Sequence, residues 1–117
     1  MNDQTQAPRP AAELSAEERD AALAFQAERL LRFGRRRKLI KDLDVLVARN
    51  TLLDLLGLAA PYEGEVPKED LDTPTAILEP LLDLAAAKGL FDDAVPQYRI
   101  NFETRLMGAM MPRESEV

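Results

Sequence analysis

Neither cysteine nor histidine occurs in the 117 residues. Without cysteine the chain can form no disulfide, offer no thiolate nucleophile and bind no Cys-ligated zinc or iron–sulfur cluster. Without histidine it lacks the commonest metal ligand, the usual general base near neutral pH and any covalent imidazole intermediate. Most familiar catalytic constellations are therefore closed to this chain acting alone. A Gly-rich phosphate loop, a serine nucleophile elbow and zinc-ligand spacings are missing as well, so no cofactor and no metal are expected. No apolar run approaches the roughly 20 residues that a membrane span requires. The first residues, with Asn2, Asp3, Gln4 and Gln6, have neither the charged head nor the apolar centre of a secretory signal. With no cysteine in addition, a cytoplasmic location and no membrane partner are expected.

The hydrophobic fraction of 46% supplies one modest core, and 31% charged residues keep the outside wet. The net charge of −6 argues against bulk attraction to nucleic acid. That charge is unevenly placed. Arg29, Arg32, Arg35, Arg36, Arg37, Lys38 and Lys41 fall in one stretch with no acidic residue among them. The stretch from Arg29 to Lys41 reads in two ways. It is a surface for phosphates or for an acidic partner, or a solvated helix end whose cations complement the C-terminal dipole.

Hydrophobic periodicity predicts an all-α fold, a small bundle of about four or five helices with a long Pro/Gly-containing loop between the second and third. Residues 1–12, polar and carrying Pro8 and Pro10, read as a disordered leader. Ser15-Ala16-Glu17-Glu18 has the form of a capping box. Leu23, Ala27, Leu30, Leu31 and Gly34 then recur at helical spacing, with the helix ending at Gly34 or running on to Arg37. Asp42 or Asp44 can cap a second helix, in which Val45, Ala48, Leu52, Leu55 and Leu56 line one face and Leu46 and Leu53 widen it. Gly57 suits the left-handed position that closes such a helix. Residues 57–72 read as a loop, long enough to be functional or mobile. Thr73-Pro74 signals a third helix, in which Pro80 kinks the run or divides it before Lys88-Gly89. A last helix runs from about Tyr98 to Met111, with Phe102, Leu106, Ala109 and Met110 on one side.

Several polar residues stand out against this background. Arg49-Asn50 interrupts an apolar helix, and asparagine there implies a hydrogen-bonding task or a solvent-facing position. Glu79 and Asp83, four apart on one helix, with Asp92 and Asp93 nearby, read as a solvated acidic face, since nothing else at ligand spacing joins them. Met107, Met110 and Met111 fit core packing or an adaptable surface for a partner helix.

Three stretches in order resemble a known family. They are 48–58 (Ala-Arg-Asn-Thr-Leu-Leu-Asp-Leu-Leu-Gly-Leu), Ile77 to Asp83 running into Ala86 to Leu90, and Phe102 to Gly108 leading to Met111 to Val117. Together they resemble the N-terminal portion of the second class of galactose-1-phosphate uridylyltransferases, also called UDP-glucose–hexose-1-phosphate uridylyltransferases. The likeness runs from about Leu30 to Val117. Glu114 stands where the family pattern has a second proline, and the basic cluster around Arg35 is heavier than in that pattern.

The resemblance implies a nucleotidyltransferase of galactose metabolism that exchanges uridylyl groups between galactose 1-phosphate and glucose 1-phosphate, with UDP-sugar and hexose 1-phosphate as its ligands. It further implies that 13–111 is a helical N-terminal region and that 112–117 begins the connection to a catalytic remainder, the expected partner. No catalytic residue carries over, because the better-known class of these enzymes uses a histidine nucleophile and this chain has none. Arg49, Asn50, Arg105 and Arg113 are the residues within the matched motifs best suited to contact a phosphate or the rest of the enzyme. A small helical partner-binding or nucleic-acid-binding module using Arg29 to Lys41 is the alternative expectation.

Overall fold

The computed structural model describes residues 13–68 and 73–110. The leader expected at 1–12, the segment 112–117 with Arg113, and Met111 lie outside the described residues. Four α-helices make up the structure: α1 (Ala16–Arg36), α2 (Val45–Leu56), α3 (Thr75–Lys88) and α4 (Pro96–Met110), with a short 3-10 turn at Asp42–Asp44. There is no strand among the described residues. The chain is an all-α bundle.

The capping box at the start of α1 forms as the sequence predicts. The Glu18 N–H donates to the Ser15 hydroxyl at 3.1 Å, and the Ser15 N–H donates to the Glu18 carboxylate at 2.9 Å. At its other end α1 passes through Gly34 and continues to Arg36. Gly34 is not a stop but a close approach. A Cβ there would lie 2.9 Å from Ile40 Cδ1 and 3.2 Å from the Met110 sulfur, so a larger residue would have to push the ends of those two side chains aside.

Neither Asp42 nor Asp44 caps α2. Asp44 occupies the N-cap position in a helical conformation rather than the extended one a capping residue adopts, with no side-chain bond made, while Asp42 accepts from Arg35 at 3.2 Å. The Thr73–Pro74 signal is also shifted. Pro74 takes the N-cap position, and the Thr73 hydroxyl accepts only a long 3.4 Å bond from the Thr75 N–H. Pro80 does not divide α3, which is continuous from Thr75 to Lys88. The backbone carbonyl that its ring leaves unbonded lies in the first turns, where the neighbouring helical bonds suffice to carry the helix on. Gly57 and Gly89 close α2 and α3 with φ of 64° and 91°, in the left-handed conformation that glycine adopts without strain. The last helix starts at Pro96 rather than Tyr98, since proline's fixed φ suits the first helical position.

The core is built from all four helices. Leu23, Leu30 and Leu31 of α1 meet Leu52 and Leu56 of α2, Ile77, Leu81 and Leu82 of α3, and Leu106 and Met110 of α4. α1 packs on α2 and α3, and α4 closes the bundle against the same two helices. Lys88, at the end of α3, ties three elements together. Its ammonium donates to the carbonyls of Leu56 and Gly57 at 2.8 and 2.9 Å and pairs with Asp20 at 2.9 Å.

The expected apolar face of α2 is only partly buried. Ala48, Leu52 and Leu56 are in the core and Val45 and Leu55 pack against it, but Leu46 faces solvent. It lies on the far side of the helix from Ala48 and Leu52.

Candidate functional site

The basic stretch builds a cation-rich groove. Arg32, Arg35 and Arg36, spaced i, i+3, i+4, share one face of the last turns of α1. The loop after α2 brings Val66 and Lys68 back over them, and Asp42 closes the far side, enclosing an open groove of about 450 Å³. The site sits where the carbonyl end of α1 favours positive charge. Arg32 leans on Glu28 at 3.4 Å, and Arg35 is held by Asp42 at 3.2 Å. Further along, Arg29 donates to Gln26 at 3.0 Å, and the Arg37 guanidinium lies 5.4 Å from the centre of the Phe33 ring. Guanidiniums fixed in this way present planar forks suited to phosphate or carboxylate oxygens. The groove is thus suited to binding an anionic group.

The four residues singled out by sequence go to different places. Arg49 is committed to the fold. It makes a two-pronged contact with Glu28, at 3.0 Å from Nε to Oε1 and 2.8 Å from Nη2 to Oε2. Glu28 is the only buried charged residue among those described, 4% exposed. Burial alone would raise its carboxyl pKa, but the bonds from Arg49 and Arg32 outweigh it and hold the value below the ordinary 4.5. The same contact raises the Arg49 pKa. Asn50 is exposed on the outer side of α2. Arg105 lies 5.4 Å over the Phe102 ring, at the edge of a separate hollow of about 360 Å³ that Phe91, Tyr98 and Asn101 also line. Arg113 is outside the described residues. The structure therefore does not bring Arg49 and Arg105 into one site.

Sequence reasoning missed three residues. Glu28 lies one turn after Ala24 and one before Leu31, which places an acid on the buried stripe of α1; that position was the available signal. Lys88 was read as a basic last turn, and nothing local shows that it reaches α2. Arg99 was missed entirely. It gathers the acidic face of α3 by bonding Glu79 at 2.9 Å, Asp83 at 3.0 Å and Asp93 at 3.2 Å. The acids are thus not merely solvated: they clamp α4 to α3. Burial would lower the Arg99 pKa, but the bonds to Asp83, Glu79 and Asp93 overcome it and raise the value. Because the three carboxylates are half exposed, Arg99→Gln is expected to lower stability by only about 1 kcal/mol in urea denaturation. The loss should shrink at high salt, and a salt-independent loss would show that packing of the side chain matters more than its charge.

Fold and groove together define a small all-α unit with a cationic groove at the end of its first helix. Its particular likeness is to galactose-1-phosphate uridylyltransferases, as the three motif stretches indicated. Over 94 residues, 80% of this chain, it is 53% identical to the protein of that name from Caldanaerobacter subterraneus subsp. tengcongensis. It is 34% identical over 96 residues to the one from Halalkalibacterium halodurans, and 36% over 92 residues to the one from Clostridium acetobutylicum, covering 82% and 79% of the chain. The matched portion is 18%, 19% and 18% of those three proteins, so the chain spans about a fifth of the length of the curated relatives it matches. No family model matches the chain, and no solved structure does. No helix among the described residues is long and apolar enough to cross a membrane.

Proposed function

We propose that this chain is the helical segment of a galactose-1-phosphate uridylyltransferase, an enzyme that converts galactose 1-phosphate and UDP-glucose into UDP-galactose and glucose 1-phosphate. The observation that carries this reading is the 53% identity over 94 residues, too long a match to come from leucine-rich helices alone. Uridylyl transfer needs a nucleophile for the α-phosphorus and a way to hold the negative charge of the phosphates. The chain has no histidine to supply the first. Its Arg32, Arg35, Arg36 and Lys68 groove is suited to the second, or to a carboxylate-bearing surface of the catalytic part. Arg49 serves by keeping α1 and α2 together, while Asn50 and Arg105, both exposed, are free of the bundle core and available to the remainder of the enzyme.

The reading is tested with two preparations assayed for UDP-galactose formation. The isolated chain is expected to give no turnover above the blank. The Caldanaerobacter protein in which this chain replaces the matching 94 residues is expected to turn over, because a segment of the same family restores the same packing. A folded replacement protein with no activity, beside an active parent, would overturn the proposal.

A further inference from the structure

The first half of α2 and the turn before it carry a second apolar face that the bundle leaves uncovered. Leu43, Leu46 and Val47 are 89%, 63% and 58% exposed, and Asn50 is exposed beside them. Their spacing of i, i+3, i+4, i+7 makes one stripe along the helix. On the opposite side, Ala48, Leu52 and Leu56 are fully buried in the core. A helix apolar on both sides is characteristic of one packed on both sides, and isolated exposed leucines do not line up in this way. Leu39, in the turn before it, is exposed as well, and the exposed cations Arg37, Lys38 and Lys41 precede the stripe in the chain.

We infer that this stripe is the surface on which the rest of the uridylyltransferase polypeptide packs, through an apolar face of its own. The inference rests on the function proposed above and identifies the contact through which it operates. The length of the relatives favours this occupant. The matched relatives contain about five times as much chain as is matched here, so a large body of protein accompanies the segment in them.

The absence of cysteine permits a direct test. Leu46→Cys places a single thiol of this segment on the stripe, and its reaction with a maleimide is followed by mass spectrometry of the peptide that carries it. In the isolated 117-residue chain the thiol should react as fast as in denaturant. In the replacement protein described above it should react at least roughly tenfold more slowly, since burial against protein blocks the reagent. Equal rates in an active replacement protein would overturn the docking face and leave the proposed function standing. Slow reaction in the isolated chain, with elution at twice its mass, would assign the stripe to a second copy and overturn the inference as stated. A folded replacement protein with neither activity nor protection would remove both.

Discussion

Arg49→Met is expected to lower the unfolding free energy by about 3 kcal/mol at neutral pH, a large part of what a domain of this size has. The substitution retains the length and apolar stem of the side chain but strands Glu28, which is 4% exposed, with only the longer 3.4 Å contact to Arg32. A buried carboxylate that has lost its bidentate partner is costly because nothing replaces the lost hydration. The pH dependence gives the signature. In the folded wild type the Glu28 pKa is lowered, so its contribution is fully present above the ordinary value of 4.5 and is lost as pH falls below that value through the folded pKa. Without Arg49, burial dominates and the folded pKa rises, so protonation in mild acid relieves the strain. The gap between wild type and variant, measured by urea denaturation across this range, should therefore narrow as the pH is lowered. A gap that stays constant with pH would mean that packing of the Arg49 stem, and not the ion pair, is what the fold uses. Glu28→Gln with Arg49 intact should cost less, because an amide oxygen still accepts one of the two bonds.

The second large effect is expected at Lys88. Its three donors are each used, two of them by the last carbonyls of α2 and one by Asp20 of α1. Helix-terminal carbonyls have no partner within their own helix, and Gly57 in its left-handed conformation satisfies only those one turn back. Lys88→Met is expected to lower stability by about 2 kcal/mol, most of it from the two carbonyls left without their donor. Asp20→Asn should cost under about 0.5 kcal/mol, because that carboxylate is half exposed and its pair is a surface one. Equal losses from the two variants in the same denaturation assay would refute the claim that Lys88 acts mainly on the end of α2.

Those two residues mark the limit of what sequence could disclose. The start of α1 was readable because a capping box is local: Ser15 and Glu18 bond within one turn. So were the ends of α2 and α3, since a glycine needs only its own backbone conformation to close a helix. Most of the core followed from 3.6-residue periodicity. The misreadings share a cause. Glu28 finds Arg49 twenty-one positions away, Lys88 finds Leu56 thirty-two away, and Arg99 finds Glu79 twenty away, and no local pattern encodes such pairings. Leu46 carries the same signal as the core leucines, because hydrophobicity marks a residue for burial without saying against what. For the groove, Arg32, Arg35 and Arg36 were evident as a basic run, whereas Lys68 joins them only through the path of the loop.

The contact at Gly34 bears on how force passes through the molecule. Gly34 near the end of α1, Ile40 in the turn and Met110 at the end of α4 touch with no side chain between the first and the other two. Such a joint is compliant, because the torsions of the Ile40 and Met110 side chains absorb displacement. Movement of the C-terminal end of α4 would thus reach the turn holding Leu39 and Lys41 only after those two side chains had readjusted, before the leucine core deforms.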